Sequence, residues 1–469
     1  MDQGLLALGT LRELKRAGYQ TKPVRLEMRD NLLGRLRDRE RILPGIVGYD
    51  QTVLPEIENG VLAGHHMIML GERGQAKSRI IRALVSLLDE RVPAVKGCEI
   101  NDDPYAPICS RCRKLQAERG DDLEIAWIGR ELRYAEKLAT PDVSVADLIG
   151  EIDPIKVAEG RYLADEETIH YGLIPRTNRG IFAINELPDL TEKVQVGLFN
   201  LMEEKDVQIK GYKIRLAVDL VFVASANPED YTSRGRIITP LKDRFDVQVR
   251  THYPKTLEDE VAIMEQECSY PLRSEMPVRI PAFMKEILAQ ITFEARASNE
   301  INQTSGVSVR MTINNFESML SNAEKRAVKI NETEIVPRLS DLHALYASTA
   351  GKLELEYVGE DKKEEDLVER LVNRAVLKVF DRCFKLDDLK SVISYFEDGW
   401  GVEVSDMSPS SEYLDALREV PGLRDAVNQL GVAETPGLMA TASELIFEGL
   451  HLHQKLNKER QGGRFAYHA

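Results

Sequence analysis

Cysteine, positive charge, long apolar runs and repeats are each scarce or missing in this chain, and each shortage removes a class of function. Its 469 residues hold five cysteines, an odd number, and start without the layout of a secretory leader. A disulfide scaffold is thereby disfavoured, and a reducing, cytoplasmic setting is expected. No apolar stretch approaches the ~20 residues that cross a bilayer, so no membrane role is expected. Lysine and arginine number 62 against 77 acidic residues, a net charge of −15, which argues against nucleic acid as the main partner. Neither an internal repeat nor a low-complexity tract stands out. What is present, 43% apolar and 30% charged residues, is an ordinary globular composition with length for about two to four domains.

The most informative segment is Gly71-Glu72-Arg73-Gly74-Gln75-Ala76-Lys77-Ser78. It follows the apolar run His66–Leu70 and leads into Arg79-Ile80-Ile81-Arg82-Ala83-Leu84-Val85. A strand, a tight turn ending in Lys-Ser and a helix make a phosphate-binding loop. Backbone N–H groups and the helix N-terminus cradle a polyphosphate there, Lys77 reaches its outer phosphates, and Ser78 can ligate magnesium. Ala76 stands where glycine usually precedes the lysine. It is acceptable at negative φ and unfavourable by roughly 1–2 kcal/mol if the position is left-handed.

Three further strand-like runs, 180–184, 220–225 and 245–249, alternate with helical patterns, which predicts a parallel sheet with helices on both faces. Residues 1–44 read as a charged helical segment with apolar spacing at Leu26, Leu32, Leu33 and Leu36. Beyond about 256 the chain reads almost wholly helical, with patterns over 257–270, 281–298, 311–330, 364–383 and 442–459. The charged run 360–366 suits a boundary or a helix start.

Ile184-Asn185-Glu186 closes the first of these three runs. Nucleotide hydrolases of this kind usually end that strand in Asp-Glu, the aspartate holding magnesium and the glutamate polarising the attacking water. Here Asn185 can accept a hydrogen bond from a metal-bound water but brings one negative charge fewer, which weakens the magnesium site. Asn227 follows the next strand and can reach a γ-phosphate or the attacking water. Arg244 has the setting of an arginine finger serving a neighbouring subunit, and Arg310, opening a later helix, can contact phosphate.

In their order and spacing these elements resemble the AAA+ ATPases, and within them the magnesium chelatase ATPase subunit and the MoxR-type proteins. The resemblance covers roughly residues 44–330. Gly45-Ile46-Val47-Gly48 resembles the adenine-side motif, with Ile46 and Val47 expected beside the nucleotide. Gly71, Gly74, Gln75, Ala76, Lys77 and Ser78 resemble the Walker A loop, and MoxR-type loops also carry alanine at the place of Ala76. The stretches 140–150 and 171–181 resemble the flanks of the chelatase helix-2 insertion. By this similarity Glu186 is the Walker B glutamate, Asn227 sensor 1, Arg244 the arginine finger and Arg310 sensor 2, with Ser78 and Asn185 at the magnesium ion. The implied fold is α/β, an AAA+ P-loop parallel sheet sandwiched by helices, followed by a helical lid and a further helical C-terminal region. The corresponding segments are 1–44, the nucleotide-binding core 45–255, the lid 256–350 and the region 351–469, which matches nothing assignable. The resemblance also implies ATP and Mg2+ as cofactors, a homo-oligomeric and commonly hexameric ring, and a partner bearing a von Willebrand factor A-type domain. Such a ring would hydrolyse ATP to remodel or metal-load a partner protein. Two alternatives stay open: a nucleotide-gated assembly scaffold with little hydrolysis, and a true magnesium chelatase subunit of tetrapyrrole synthesis.

Cys109-Ser110-Arg111-Cys112 has metal-clip spacing, and Cys98 lies upstream. A tetrahedral zinc site needs a fourth ligand. The candidates are Cys268, Cys383 or an acidic side chain such as Asp102, and with no further cysteine or histidine nearby plain reduced thiols are favoured.

Overall fold

Five parallel strands run through the middle of the first unit: β1 (Met67–Leu70), β2 (Tyr134–Leu138), β3 (Gly180–Asn185), β4 (Leu220–Ala226) and β5 (Val247–Arg250). They pair in the order β5-β1-β4-β3-β2. The computed structural model describes residues 3–152, 168–204, 207–208, 215–227, 235–270, 276–303, 306–355, 364–405, 407–461 and 464–468. The chain divides into two units, Met1–His252 and Tyr253–Ala469.

Period-two alternation sends successive side chains of the sheet into two separate cores. Met67, Met69, Ile181, Ala183, Val221 and Val223 face one, which is closed by helices α1 (Val24–Asp38), α2 (Val53–Ala63) and α3 (Lys77–Ala83). Ile68, Phe182, Ile184, Phe222 and Ala224 face the other, closed by the helix Glu192–Glu204 and by α4 (Ser110–Arg119). Burial on both faces is why these strands read as unbroken apolar runs in the sequence. β1 sits between β4 and β5, so the connections leaving the strands' C-terminal ends diverge there and leave the crevice in which α/β sheets hold ligands.

Two expectations about this unit need correction. α1 buries Val24, Glu27, Met28 and Leu32, whereas Leu26 and Leu36 are 51% and 40% exposed. The helix is rotated from the leucine spacing because Glu27 turns inward to Arg133, whose Nη2 lies 2.6 Å from the Glu27 carboxylate. The sequence reading also passes over β2 and an antiparallel strand pair, Arg91–Val95 with Ile125–Gly129. β2 carries Glu136 and Lys137 and lies at the sheet edge, so it lacks the apolar run that marks its neighbours.

The second unit is built on the helices Leu257–Glu267, Ala282–Ala297, Arg310–Lys329, Glu364–Cys383 and Pro436–Leu452. Leu367, Leu371, Ala375 and Val379 from one helix and Leu445, Ile446 and Leu450 from another enter one core. The expected helix over 442–459 ends at Leu452 and gives way to strand Asn457–Gln461, which pairs with Arg464–His468 and, through it, with Val402–Ser405. The helix-rich region thus carries a small antiparallel sheet. Gly462-Gly463, a turn signal by composition, lies outside the described residues. Residues 360–363 of the charged run lie outside the described residues.

Candidate functional site

The loop after β1 is held by glycine geometry and by side chains from distant segments. A Cβ on Gly71 would lie 1.9 Å from Thr251 Oγ1 and 2.2 Å from Gln75 Oε1, so only glycine fits there. Gln75 Oε1 accepts from the Glu72 backbone N–H at 3.0 Å and from Thr251 Oγ1 at 2.8 Å, bracing the loop against the end of β5. The Tyr49 hydroxyl lies 3.0 Å from the Gln75 carbonyl and 2.7 Å from that of His252. Burial pushes its pKa up to about 12, so it stays a donor. Ile46 is buried in the same core as Tyr49, and Val47 is half-buried beside it.

Gly74 has φ 78° and Ala76 φ 56°, ψ 15°, so alanine occupies a left-handed position. Of the two cases the sequence leaves open, the strained one applies, at roughly 1–2 kcal/mol. Replacing Ala76 by glycine is expected to raise stability by about 0.5–1 kcal/mol, since part of the relief is offset by the freer unfolded chain. A higher urea midpoint with unchanged slope would show it. A lower midpoint would mean that the strain is compensated by contacts of the methyl group.

Lys77 is 7% exposed, and its Nζ donates to the Glu72 carbonyl at 2.8 Å and to Asn227 Oδ1 at 2.6 Å. Ser78 Oγ lies 3.3 Å from Asn185 Oδ1, which also accepts from Ser225 Oγ at 3.1 Å. Glu186 follows at φ 54°, ψ 49°, its backbone N–H donating to Ser225 Oγ at 3.3 Å. A non-glycine residue held left-handed costs about 1 kcal/mol or more and is characteristic of functional sites. Lys77, Ser78, Asn185 and Asn227 therefore converge at the C-terminal ends of β1, β3 and β4, with Glu186 next to Asn185. Residues 228–234, which follow Asn227, lie outside the described residues.

Glu136 on β2 is the residue that sequence reasoning missed. The Asn185 side-chain amide donates to it, and Arg82 holds it through Nε at 2.7 Å and Nη2 at 2.9 Å. Tyr134 adds a hydroxyl at 2.9 Å. The Arg82 guanidinium keeps this carboxyl below its ordinary range, so it is ionised at neutral pH. A negative charge thus stands one hydrogen bond from Asn185, where the aspartate of related hydrolases would have brought its own. Ser78 hydroxyl and Asn185 amide oxygen are hard oxygen donors of the kind that suits magnesium, and this carboxylate stands behind Asn185 on its amide nitrogen.

Arg244 follows the short helix Thr239–Asp243, forms an ion pair with Glu203 and lies 5.6 Å from the Phe199 ring centroid, 38% of its side chain exposed. Arg310 belongs to the second unit, where it opens the helix Arg310–Lys329 in an exposed position, its backbone N–H on Ser308 Oγ at 3.2 Å. No helix among the described residues is long and apolar enough to cross a membrane.

No family model matches the chain. Over 247 residues it is 30% identical to the magnesium-chelatase subunit ChlI of Nostoc sp., a match covering 51% of this chain and 60% of that relative. The magnesium-chelatase 38 kDa subunit of Cereibacter sphaeroides is 27% identical over 235 residues, 48% of this chain and 63% of the relative. The chain thus spans less than two thirds of the length of these curated relatives. A solved model of the complex between magnesium-chelatase subunits BchI and BchD aligns with 20% identity and a TM-score of 0.35, covering 69% of this chain and 97% of that one. Likeness at that level adds nothing to the strand order itself.

Proposed function

We propose that this chain, which resembles the ATPase subunits of magnesium chelatase, is a ring-forming AAA+ ATPase that binds and hydrolyses ATP to remodel or metal-load a partner protein. One observation carries the reading: the lysine of a phosphate loop lies 2.6 Å from the amide oxygen of Asn227, while the adjacent Ser78 hydroxyl lies 3.3 Å from that of Asn185. Three separate strands deliver to one point the groups that phosphoryl transfer uses.

In this reading the loop N–H groups and Lys77 bind the phosphates, with Gly71, Gly74, Gln75 and Ala76 shaping the cradle and Ile46 and Val47 lining the adenine side. Ser78 and Asn185 would hold magnesium, with Glu136 supplying the charge that Asn185 lacks. Magnesium, when bound, neutralises charge on the β- and γ-phosphates. Glu186 takes the proton of the attacking water, and Asn227 fixes the γ-phosphate. Arg244, presented to the next subunit, neutralises charge developing there, and Arg310 of the second unit is assigned as sensor 2 by resemblance. A hexameric ring and a partner with a von Willebrand factor A-type domain complete the proposal.

Steady-state ATP hydrolysis with magnesium tests it. Turnover that falls by about 100-fold or more in Lys77→Ala is expected. No turnover by the unmodified protein and its mixtures with partner subunits, alongside tight ATP binding, would favour the nucleotide-gated scaffold. Porphyrin metallation on mixing with chelatase partners would instead identify a magnesium chelatase subunit. Glu136 gives a sharper check. Glu136→Gln is expected to raise the magnesium concentration for half-maximal turnover about 10-fold, as loss of a supporting carboxylate does elsewhere. An unchanged magnesium titration would remove Glu136 from the site.

A further inference from the structure

Four donor side chains meet inside the first unit, away from the phosphate loop. The Sγ atoms of Cys98, Cys109 and Cys112 and a carboxylate oxygen of Asp102 all lie within 4.8 Å of one another. Asp102 and Cys112 are fully buried, Cys109 is nearly so and Cys98 is half-buried. The three sulfurs are free thiols. The sequence favours plain thiols because no fourth cysteine or histidine lies nearby, but the fold supplies the missing donor by turning Asp102 into the cluster. The turn is closed by the Cys98 N–H on the Val95 carbonyl at 3.1 Å and the Val95 N–H on the Asp102 carbonyl at 2.9 Å.

The carboxylate is the strongest clue. Its oxygens accept from the backbone N–H of Ile108 at 3.2 Å and of Cys109 at 3.0 Å and also meet the Cys109 thiol, and among the described residues no lysine or arginine forms an ion pair with it. An anion at zero exposure is costly without a compensating cation, and a metal ion bound by the neighbouring thiolates is such a cation. The sulfurs are prepared for it as well. Cys98 Sγ accepts from the Asp102 N–H at 3.5 Å and Cys109 Sγ from the Cys112 N–H at 3.3 Å, bonds that support thiolate ligands. Cys109 also caps the N-terminus of the ten-residue helix α4, whose positive end favours thiolate. A tetrahedral ion with bonds of ~2.3 Å to sulfur spaces its ligands by about 3.8 Å, a short inward movement from the present arrangement.

We propose that Cys98, Asp102, Cys109 and Cys112 hold one structural zinc ion in a closed tetrahedral shell. The ion pins the loop between strand Arg91–Val95 and α4. That loop and the strand before it in turn back the turn opening β3, because Asn178 Nδ2 donates to the Ile100 carbonyl of the loop at 3.1 Å and Arg179 Nη1 to the Pro93 carbonyl of the strand at 2.7 Å.

Metal analysis of the full chain, purified under reducing conditions without chelators, is expected to return about one zinc per chain. Replacing the ion with cobalt should give the charge-transfer absorption of three thiolates, stronger by about a third in Asp102→Cys, which turns the shell into four cysteines. Cys112→Ser should retain less than about a tenth of the zinc. Protein that is metal-free and takes up no zinc when reduced overturns the proposal, as does iron at the site or a disulfide among the three cysteines. Asp102→Cys with unchanged cobalt absorption would overturn the role of Asp102, and it needs only the folded protein to be read.

Discussion

Glu186→Gln is expected to bind ATP within about threefold of the unmodified protein while turnover falls by roughly 100-fold or more. Glutamine preserves the volume of the side chain but cannot take a proton from water. The backbone at this residue is held left-handed at φ 54° and anchored through its N–H to Ser225. The substitution therefore changes the chemistry of the side chain and leaves its support in place. Because Asn185 immediately before it brings no charge of its own, Glu186 is the carboxylate nearest in sequence to the strand end, and no second acid on β3 can stand in. ATP binding by equilibrium titration, set beside hydrolysis under saturating magnesium, separates the two effects. Hydrolysis at the unmodified rate would move the base to another residue.

Glu27→Ala is expected to cost the first unit about 3–5 kcal/mol, the usual penalty for removing one partner of a buried ion pair. Arg133 is wholly buried and Glu27 is 4% exposed. Two bonds join them, Nη1 to Oε1 at 2.8 Å and Nη2 to Oε2 at 2.6 Å. Glu27 also accepts from the Asp89 N–H at 2.6 Å, and Arg133 Nε donates to the Arg179 carbonyl at 2.7 Å. The pair therefore ties α1 to the residue that opens β3. Loss of Glu27 leaves a guanidinium in a low-dielectric interior without its anion. Urea unfolding followed through Trp127, in a Trp400→Phe background so that the second unit is silent, reads the effect. A loss below about 1 kcal/mol would show that Arg133 can reach water after the change. Replacing both residues together by apolar ones of similar size should recover much of the loss, because the cost lies in the stranded charge.

The parts of the site that could be read from sequence are those whose residues are contiguous. Gly71 to Ser78 announces a phosphate loop because its own backbone makes the cradle, and Asn185-Glu186 is visible because an apolar strand precedes it. Glu136 is hidden for the opposite reason: its strand is short, polar and marginal, and its link to Asn185 spans 49 positions. Tyr49 and Thr251 brace the loop from 26 and 176 positions away, spacings to which no local period corresponds. Asp102 was one candidate among several for a fourth ligand until the turn brought it to the thiols. The inward face of α1 is not legible from the leucine spacing, because a charged residue, Glu27, faces inward to Arg133 while Leu26 and Leu36 face out.

The two strands that end the central sheet are also the two that carry charge. β2 has Glu136 and Lys137, and β5 ends in the exposed Arg250. A sheet edge offers unpaired backbone groups to any passing strand, and charged side chains are a common defence against that addition. Joining the sheets of two chains edge to edge would crowd these charges at the seam. Association through the sheet edges is therefore disfavoured, each sheet remaining a finished unit. Strand-by-strand growth into fibres is the mode of association this fold resists.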